Sequence, residues 1–174
     1  MNPWNRGTAT VWPLGPNQSP TDNFSGLSAG AAKALGVINP SPITGPFGDI
    51  IIPSWKITLA SSPATGGTIQ VYLLFSEDNQ VWPGGLDPTS TADQSATLAG
   101  ALLADSGFSA GALLYTITVQ SGVTVYQPRW FSLRGLIGNV PSYCSILIWN
   151  NTNVAFAAYS ADNQVANYAL DTYV

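Results

Sequence analysis

Side chains that could carry out acid–base or nucleophilic chemistry are scarce in this chain. Its 174 residues include no histidine, five Lys+Arg and nine Asp+Glu. The absence of histidine removes the side chain that most often titrates near neutral pH, and with it the Ser–His and Cys–His pairs. Glu77 and Asp78 are the one adjacent pair of carboxylates, and neighbours on an extended segment point in opposite directions instead of facing each other across a cleft. The sequence therefore predicts that this protein is not an enzyme.

Metal and cofactor sites are not expected from the residue types either. Cys144 is the single cysteine and lies in the apolar run 143–149, which favours a buried core residue and excludes an internal disulfide or a Cys/His zinc site. The chain contains no phosphate-binding loop, dinucleotide-binding glycine motif or nucleophile elbow. Four carboxylates could offer oxygen ligands to calcium, although their spacing matches no calcium loop: Glu77, Asp78, Asp87 and Asp93. We therefore expect no cofactor and no metal.

The charge of the chain limits the partners that it can bind. Charged residues make up 8% of the chain and the formal net charge is −4, whereas ordinary soluble domains are roughly 25% charged. A phosphate-binding face needs clustered basic residues, and here the five are scattered: Arg6, Lys33, Lys56, Arg129 and Arg134. No apolar run approaches the roughly 18 residues of a membrane span. We expect neither nucleic acid nor membrane as a partner, and a neutral, aromatic surface of this kind favours contact with other protein.

Residues 1–48 differ in composition from the rest of the chain. They contain seven of the thirteen prolines, which indicates an extended segment because proline cannot donate to a regular sheet. They also contain aromatic residues, in which free disordered tails are poor. We predict an extended N-terminal arm over residues 1–48 that lies on its own domain or on a neighbouring subunit. Five residues are candidates for contact with other protein: Trp4, Arg6, Trp12, Phe24 and Trp82.

Residues 49–174 carry a β pattern. Trp55, Ile57 and Leu59 alternate with polar residues, which is the period of a strand with one buried face. Similar segments lie at 68–75, 113–119, 130–137 and 165–173, and two more, 145–149 and 154–159, flank the predicted hairpin turn 150–153. With a short strand at 8–12 this makes about eight strands. The sequence predicts an all-β domain, a two-sheet antiparallel sandwich with jelly-roll connections. In the arm, residues 28–35 could form either two helical turns or an irregular strand.

Three stretches of the chain resemble small jelly-roll virion structural proteins of tailed bacteriophages. They are Val71-Tyr72-Leu73-Leu74-Phe75-Ser76-Glu77-Asp78, then Trp82-Pro83-Gly84-Gly85, and Ile148-Trp149-Asn150-Asn151-Thr152-Asn153-Val154-Ala155. The resemblance extends over residues 71–168 and implies a capsid cement or decoration protein, often trimeric. Its implied partners are the major capsid protein and further copies of itself. Its implied location is the capsid exterior of the virion, after synthesis in the host cytoplasm.

Two other functions are compatible with the same residues. A tail, fibre or adaptor component of a phage particle would have a similar composition and fold. A carbohydrate-binding receptor-recognition module would use some of the six Trp and seven Tyr residues as flat surfaces for sugar rings. Most of these aromatic residues lie in predicted strands or on the arm, which favours core and protein contacts over carbohydrate.

Overall fold

A computed structural model describes residues 11–13, 24–38, 49–83, 86–90, 92–93, 111–127, 131–132, 134–135, 138, 142–158 and 165–171. Within these ranges the backbone forms nine strands. They are β1 (Val11–Pro13), β2 (Ala32–Ala34), β3 (Asp49–Thr58), β4 (Thr68–Ser76), β5 (Gly111–Thr118), β6 (Val125–Tyr126), β7 (Phe131–Ser132), β8 (Tyr143–Asn151) and β9 (Val165–Asp171).

The strands form two sheets in which every pairing is antiparallel. The first sheet has the order β1-β9-β3-β6, with β7 also pairing with β3, and the second has the order β2-β8-β4-β5. The all-β, two-sheet antiparallel prediction is therefore confirmed. The long strands β3, β4, β5, β8 and β9 fall where the alternating or apolar segments predicted them, whereas the two-residue strand β6 was not predicted.

The second sheet is buried on both faces along β4 and β8. These strands pair without interruption from Thr68 opposite Asn151 to Ser76 opposite Tyr143. One face packs on the main core, which contains these buried side chains: Phe24, Leu27, Leu35, Ile38, Ile57, Leu59, Ile69, Val71, Leu73, Val119, Cys144, Ile146, Ile148 and Phe156. The other face carries a smaller cluster: Ala32, Ala34, Tyr72, Leu74, Trp82, Leu86 and Leu147. Burial on both faces explains why 71–75 and 146–149 are apolar runs instead of alternating patterns.

Residues 24–38, which the sequence prediction assigns to the arm, contribute to the sandwich. Strand β2 forms the edge of the second sheet against β8, and Phe24 is completely buried. The ring of Phe24 meets that of Phe156 edge to face, with centroids 5.9 Å apart and planes at 88°. The helical alternative for 28–35 is wrong. Gly30 and Gly36 adopt positive φ angles of 76° and 78°, which end a right-handed helix and leave a three-residue strand between them.

The segment that follows β8 also differs from the prediction. Strand β8 continues to Asn151. Of the predicted strand at 154–159, the described residues 154–158 form one isolated bridge, between Phe156 and Leu59. The reason is a buried hydrogen-bond network around Asn150. Its Nδ2 donates to the carbonyl oxygens of Leu27 (3.2 Å) and Ser28 (3.1 Å).

The same side chain fixes the chain that leaves β8. Asn150 Nδ2 also donates to the carbonyl oxygen of Val154 at 2.9 Å. Its Oδ1 accepts a hydrogen bond of 2.7 Å from Thr152 Oγ1. The backbone adds two further bonds, from Gly30 N to the Asn150 carbonyl at 2.8 Å and from Asn150 N to the Ala31 carbonyl at 2.9 Å. We call this network the Asn150 clamp, because it joins residues 27–31 to residues 150–154.

We expect Asn150→Ala to lower the free energy of unfolding by roughly 2–3 kcal/mol, because it leaves buried carbonyl oxygens without a donor. Asn151→Ala is the matched control. Asn151 is exposed, and its Nδ2 makes one long contact of 3.4 Å with Thr68 Oγ1, so its loss should change stability by less than about 0.5 kcal/mol. Urea unfolding of both variants measures the difference. Equal effects of the two substitutions would contradict the clamp.

Candidate functional site

The turn after β4 is built around one carboxylate. Asp78 Oδ1 accepts hydrogen bonds from Gln80 N (2.8 Å) and Val81 N (3.0 Å). It also accepts one from Ser76 Oγ (3.1 Å), which itself accepts from Asn79 N (3.0 Å). Asn79 adopts a positive φ of 60°, a conformation that asparagine tolerates better than most residues. These bonds hold the pKa of Asp78 below its usual value of 3.8, and the bond from Val81 N has the largest effect, followed by the one from Gln80 N. The carboxylate therefore orders a turn instead of facing a substrate.

Trp82, one of the five predicted contact residues, follows this turn and points inward. Its side chain is 8% exposed and belongs to the cluster on the second face of the β4–β8 sheet, with Tyr72, Leu74 and Leu86. A ring that is covered in this way offers little surface for stacking on a sugar or for insertion into a partner. Its role in the described structure is to cover the sheet.

Of the other four predicted contact residues, Phe24 is the one whose side chain is described. Phe24 lies in the main core at 0% exposure. Trp12 lies on β1, where it pairs with Tyr168 of β9. Trp4 and Arg6 lie outside the described residues. The two predicted contact side chains whose burial is described, Phe24 and Trp82, therefore pack within the domain, and any contact with a partner through this set rests on Trp4, Arg6 and Trp12.

Three buried polar atoms lie beneath the cluster that contains Trp82. Tyr72 Oη, Ser145 Oγ and Trp149 Nε1 have no hydrogen-bond partner within the described structure. The register pairs Tyr72 with Leu147, between Ser145 and Trp149, so all three side chains leave the same face of the sheet. Burial raises the pKa of Tyr72 above 10.0. Each unpaired atom costs free energy that a bonded group does not.

Several large apolar side chains are exposed at positions that the sequence analysis did not single out. Leu113 is 51% exposed, Val123 39% and Val125 43%, and all three lie in residues 111–127, which contain no charged residue. Val81, at the Asp78 turn, is 74% exposed. No signal in the sequence singles out these positions, since longer uncharged stretches lie at 57–76 and 135–161.

Metal binding and thiol reactivity can be assessed for the described residues. In this part of the chain no group of three or more Cys, Asp or Glu side chains is arranged to hold a metal ion. Cys144 is buried as predicted, and burial raises the pKa of its thiol to about 12, which leaves the reactive thiolate unpopulated near neutral pH.

Comparisons with known proteins give this chain no family. No protein-family model matches it, and no curated protein matches it. Within the described ranges, no helix has the length and apolar character needed to cross a membrane.

Two serines test the cost of the unpaired atoms. Ser145→Ala removes a buried hydroxyl that has no partner among the described residues and should leave the free energy of unfolding unchanged or raise it by up to about 1 kcal/mol. Ser76→Ala, the matched control, removes a hydroxyl bonded to Asp78 and Asn79 and should lower it by about 1 kcal/mol. Chemical denaturation of both variants measures the two changes in the free energy of unfolding. A loss for Ser145→Ala as large as that for Ser76→Ala would contradict the absence of a partner.

The Asp78 turn makes a prediction about acid stability. The pKa of Asp78 is lower in the folded protein than its ordinary 3.8. The ionised carboxylate therefore stabilises the folded state above pH 3.8, and this stabilisation is lost as the pH falls through the folded pKa. In Asp78→Asn, which has no titrating group at this position, we expect the melting temperature to fall less steeply with decreasing pH than in the unaltered protein. An NMR titration of the Asp78 carboxyl carbon measures the pKa directly, and a midpoint at or above 3.8 would contradict the hydrogen bonds from Gln80 and Val81.

Proposed function

We propose that this protein is a virion structural protein of the capsid cement or decoration type. In this role it adds buried contact area between neighbouring capsid subunits and performs no reaction. Its partners are the major capsid protein and further copies of itself, on the exterior of the capsid. The observation that carries the proposal is the order of the strands in the two sheets.

The strand order supports jelly-roll connections. In a jelly roll, eight strands in two Greek keys are divided between two four-stranded sheets. Here the chain runs from β1 in the first sheet to β2 in the second, returns to β3, and then passes to β4 and β5 in the second sheet. It goes back to β6 and β7 in the first sheet, then to β8 in the second and β9 in the first, where β9 lies between β1 and β3. Jelly rolls are common in viral capsid and lectin domains, which agrees with the resemblance of residues 71–168 to phage virion proteins.

The composition supports protein contact as the mode of action. Only 8% of residues are charged, so association depends on neutral surfaces and is only weakly screened by salt. An individual contact need not be large. A cement protein binds a repeating lattice, and many modest contacts of roughly 800 Å² or less per partner become strong through multivalency.

Residues 1–10 are the part of the predicted arm that we propose to bind a neighbouring subunit. They contain Trp4 and Arg6, and tryptophan and arginine are the residue types that most often dominate protein interfaces. Trp12 follows on β1, which pairs with β9. An arm anchored to the first sheet at β1 would carry Trp4 and Arg6 toward the adjoining subunit.

Electron cryomicroscopy of the particle that contains this chain tests the proposal. We expect one copy of the sandwich at each equivalent position on the outer capsid lattice. Density confined to the tail or its fibres would replace the proposal with the tail, fibre or adaptor function. Specific binding of the purified protein to a glycan array would support the receptor-recognition function instead. Absence of the chain from purified particles by mass spectrometry would contradict all particle-based functions.

Deleting residues 1–10 tests the arm. The deletion keeps β1 and Phe24, so we expect a melting temperature within a few degrees of that of the full chain. Added back to particles that lack the protein, the shortened chain should bind with about tenfold or greater loss of affinity, because interface tryptophans carry a large share of binding energy. Trp4→Ala in the full chain should account for much of the loss. Undiminished binding of the shortened chain would exclude residues 1–10 from the contact.

A further inference from the structure

Three loops meet at one end of the sandwich. They are residues 60–67, which lead from β3 to β4, residues 119–124, which join β5 to β6, and residues 151–153 at the end of β8. Thr68, the first residue of β4, pairs with the last residue of β5 and with the last residue of β8. The register therefore places all three loops side by side. We call them the loop platform.

The loops of the platform are fixed to one another by hydrogen bonds. Backbone N–H groups donate to side-chain oxygens of a neighbouring loop: Gly122 N to Ser62 Oγ (2.8 Å), Ser121 N to Thr65 Oγ1 (3.2 Å) and Ala64 N to Asn153 Oδ1 (2.8 Å). Backbone bonds add to them, from Val119 N to the Gly67 carbonyl at 2.9 Å and from Gly66 N to the Val119 carbonyl at 3.2 Å. A surface that is already ordered loses less conformational entropy when a partner binds it.

The loop platform is an open and uncharged surface. Residues 64–66 and 120–123 are exposed throughout, as are Asn151 and Asn153. The three loops contain neither a charged nor an aromatic residue. They present hydroxyl and amide groups, which donate and accept hydrogen bonds, on mostly short side chains that lose little rotamer freedom on binding. Because no flat ring is available to cover a sugar, this chemistry favours a protein partner.

Acidic residues lie at the far ends of the strands that reach the platform. Asp49 is the first residue of β3, where it pairs with Asp171 at the end of β9. Glu77 and Asp78 follow the last residue of β4. Strand β3 runs toward the platform and β4 runs away from it. A strand of nine or ten residues spans about 30 Å, so these carboxylates are far from the three loops.

Two charged residues lie beside the loop platform without belonging to it. Lys56 is two residues from the end of β3, and its neighbour Ile57 points into the main core, so the lysine side chain leaves the outer face of the first sheet. Asp93 Oδ2 accepts a hydrogen bond of 3.0 Å from Ser28 N, next to the Asn150 clamp. Their charges are opposite in sign, so the described part of this end has no net charge.

We propose that the loop platform is the surface that seats this protein on the capsid, with the sandwich standing end-on and the Asp78 turn directed to solvent. This inference rests on the proposed function and deepens it by naming the contact face and its chemistry. The partner is an uncharged face of the capsid protein that offers amide, carbonyl and hydroxyl groups. In this orientation the carboxylates at the far ends of the strands stay hydrated, and the contact buries no unpaired charge.

The platform contact is separate from the contact proposed for the arm. Strand β1 runs from Val11, opposite Ala169, to Pro13, opposite Asn167. Because β9 runs away from the platform, β1 begins at its end remote from the three loops. The arm and the platform can therefore bind different subunits, and a substitution in the platform should leave the contribution of the arm intact.

A matched pair of glutamine variants tests the proposal by binding to particles that lack the protein. Gln120 lies on the platform and Gln80 on the Asp78 turn, and both are exposed. Glutamate has nearly the same shape as glutamine but adds one charge. We expect Gln120→Glu to weaken binding about fivefold or more, because the contact would bury an unpaired carboxylate. Gln80→Glu should change the affinity by less than about twofold, since a charge that stays in solvent is screened.

A second pair tests the fit of the surfaces. Ala64 and Val81 are exposed, and tryptophan at position 64 would hold the platform away from a closely packed partner. We expect Ala64→Trp to weaken binding about tenfold or more, because interfaces pack as densely as protein interiors. Val81→Trp should bind like the unaltered protein. Thermal melts of all four variants separate loss of binding from loss of folding.

An electron cryomicroscopy map of the particle gives a further measurement that needs no variant. We expect the loop platform to face the capsid shell and the Asp78 turn to face outward. Three results would overturn the proposal and leave the proposed function intact. They are a platform that faces solvent, undiminished binding of Gln120→Glu and Ala64→Trp, or equal losses in these variants and their controls.

Two other results would overturn the proposal together with the function on which it rests. The first is failure of the unaltered chain to bind the particles. The second is specific glycan binding that Ala64→Trp abolishes, which would assign the loop platform to carbohydrate recognition.

Discussion

The amide side chain of Asn150 is the constraint on which the described fold depends most. Its donors and acceptor are satisfied by carbonyl oxygens and a hydroxyl from two segments that are far apart in the chain, residues 27–28 and 152–154. A buried amide with unmatched partners is costly, whereas a fully bonded one favours a single arrangement. The clamp thereby holds the segment that begins at Phe24 against the end of β8. With that segment in position, β2 can complete the second sheet, and Phe24 can close the core against Phe156.

Burial of the second sheet on both faces determines how this protein uses its aromatic residues. Trp82 and Tyr72 cover the outer face instead of forming a binding surface. The polar atoms Tyr72 Oη, Ser145 Oγ and Trp149 Nε1 are enclosed there with no hydrogen-bond partner in the part of the chain that the structure describes, so the cluster gains apolar contact at the expense of hydrogen bonding. Strands β4 and β8 therefore have one face in the core and the other beneath this cluster.

The proposed role on a capsid is consistent with these physical features. Asp78 and its hydrogen-bonded turn are a structural unit, and Cys144 is enclosed with its thiol protonated. A chain with only 8% charged residues suits contacts repeated many times over a lattice, where each one can be weak and largely independent of salt.

Much of the sandwich followed from the sequence alone, because local periodicity reports burial. The alternation at Trp55, Ile57 and Leu59 located β3, and the apolar runs at 71–75 and 146–149 indicated strands covered on both sides. The sequence could not locate the Asn150 clamp. Two neighbouring asparagines predict a turn, and Leu27, which accepts a hydrogen bond from Asn150, lies 123 residues away in the chain. For the same reason the inclusion of residues 24–38 in the sheets, the inward position of Trp82 and the exposure of Leu113 and Val125 were decided only by the tertiary structure. Such features depend on which distant segments meet, and composition and spacing along the chain do not contain that information.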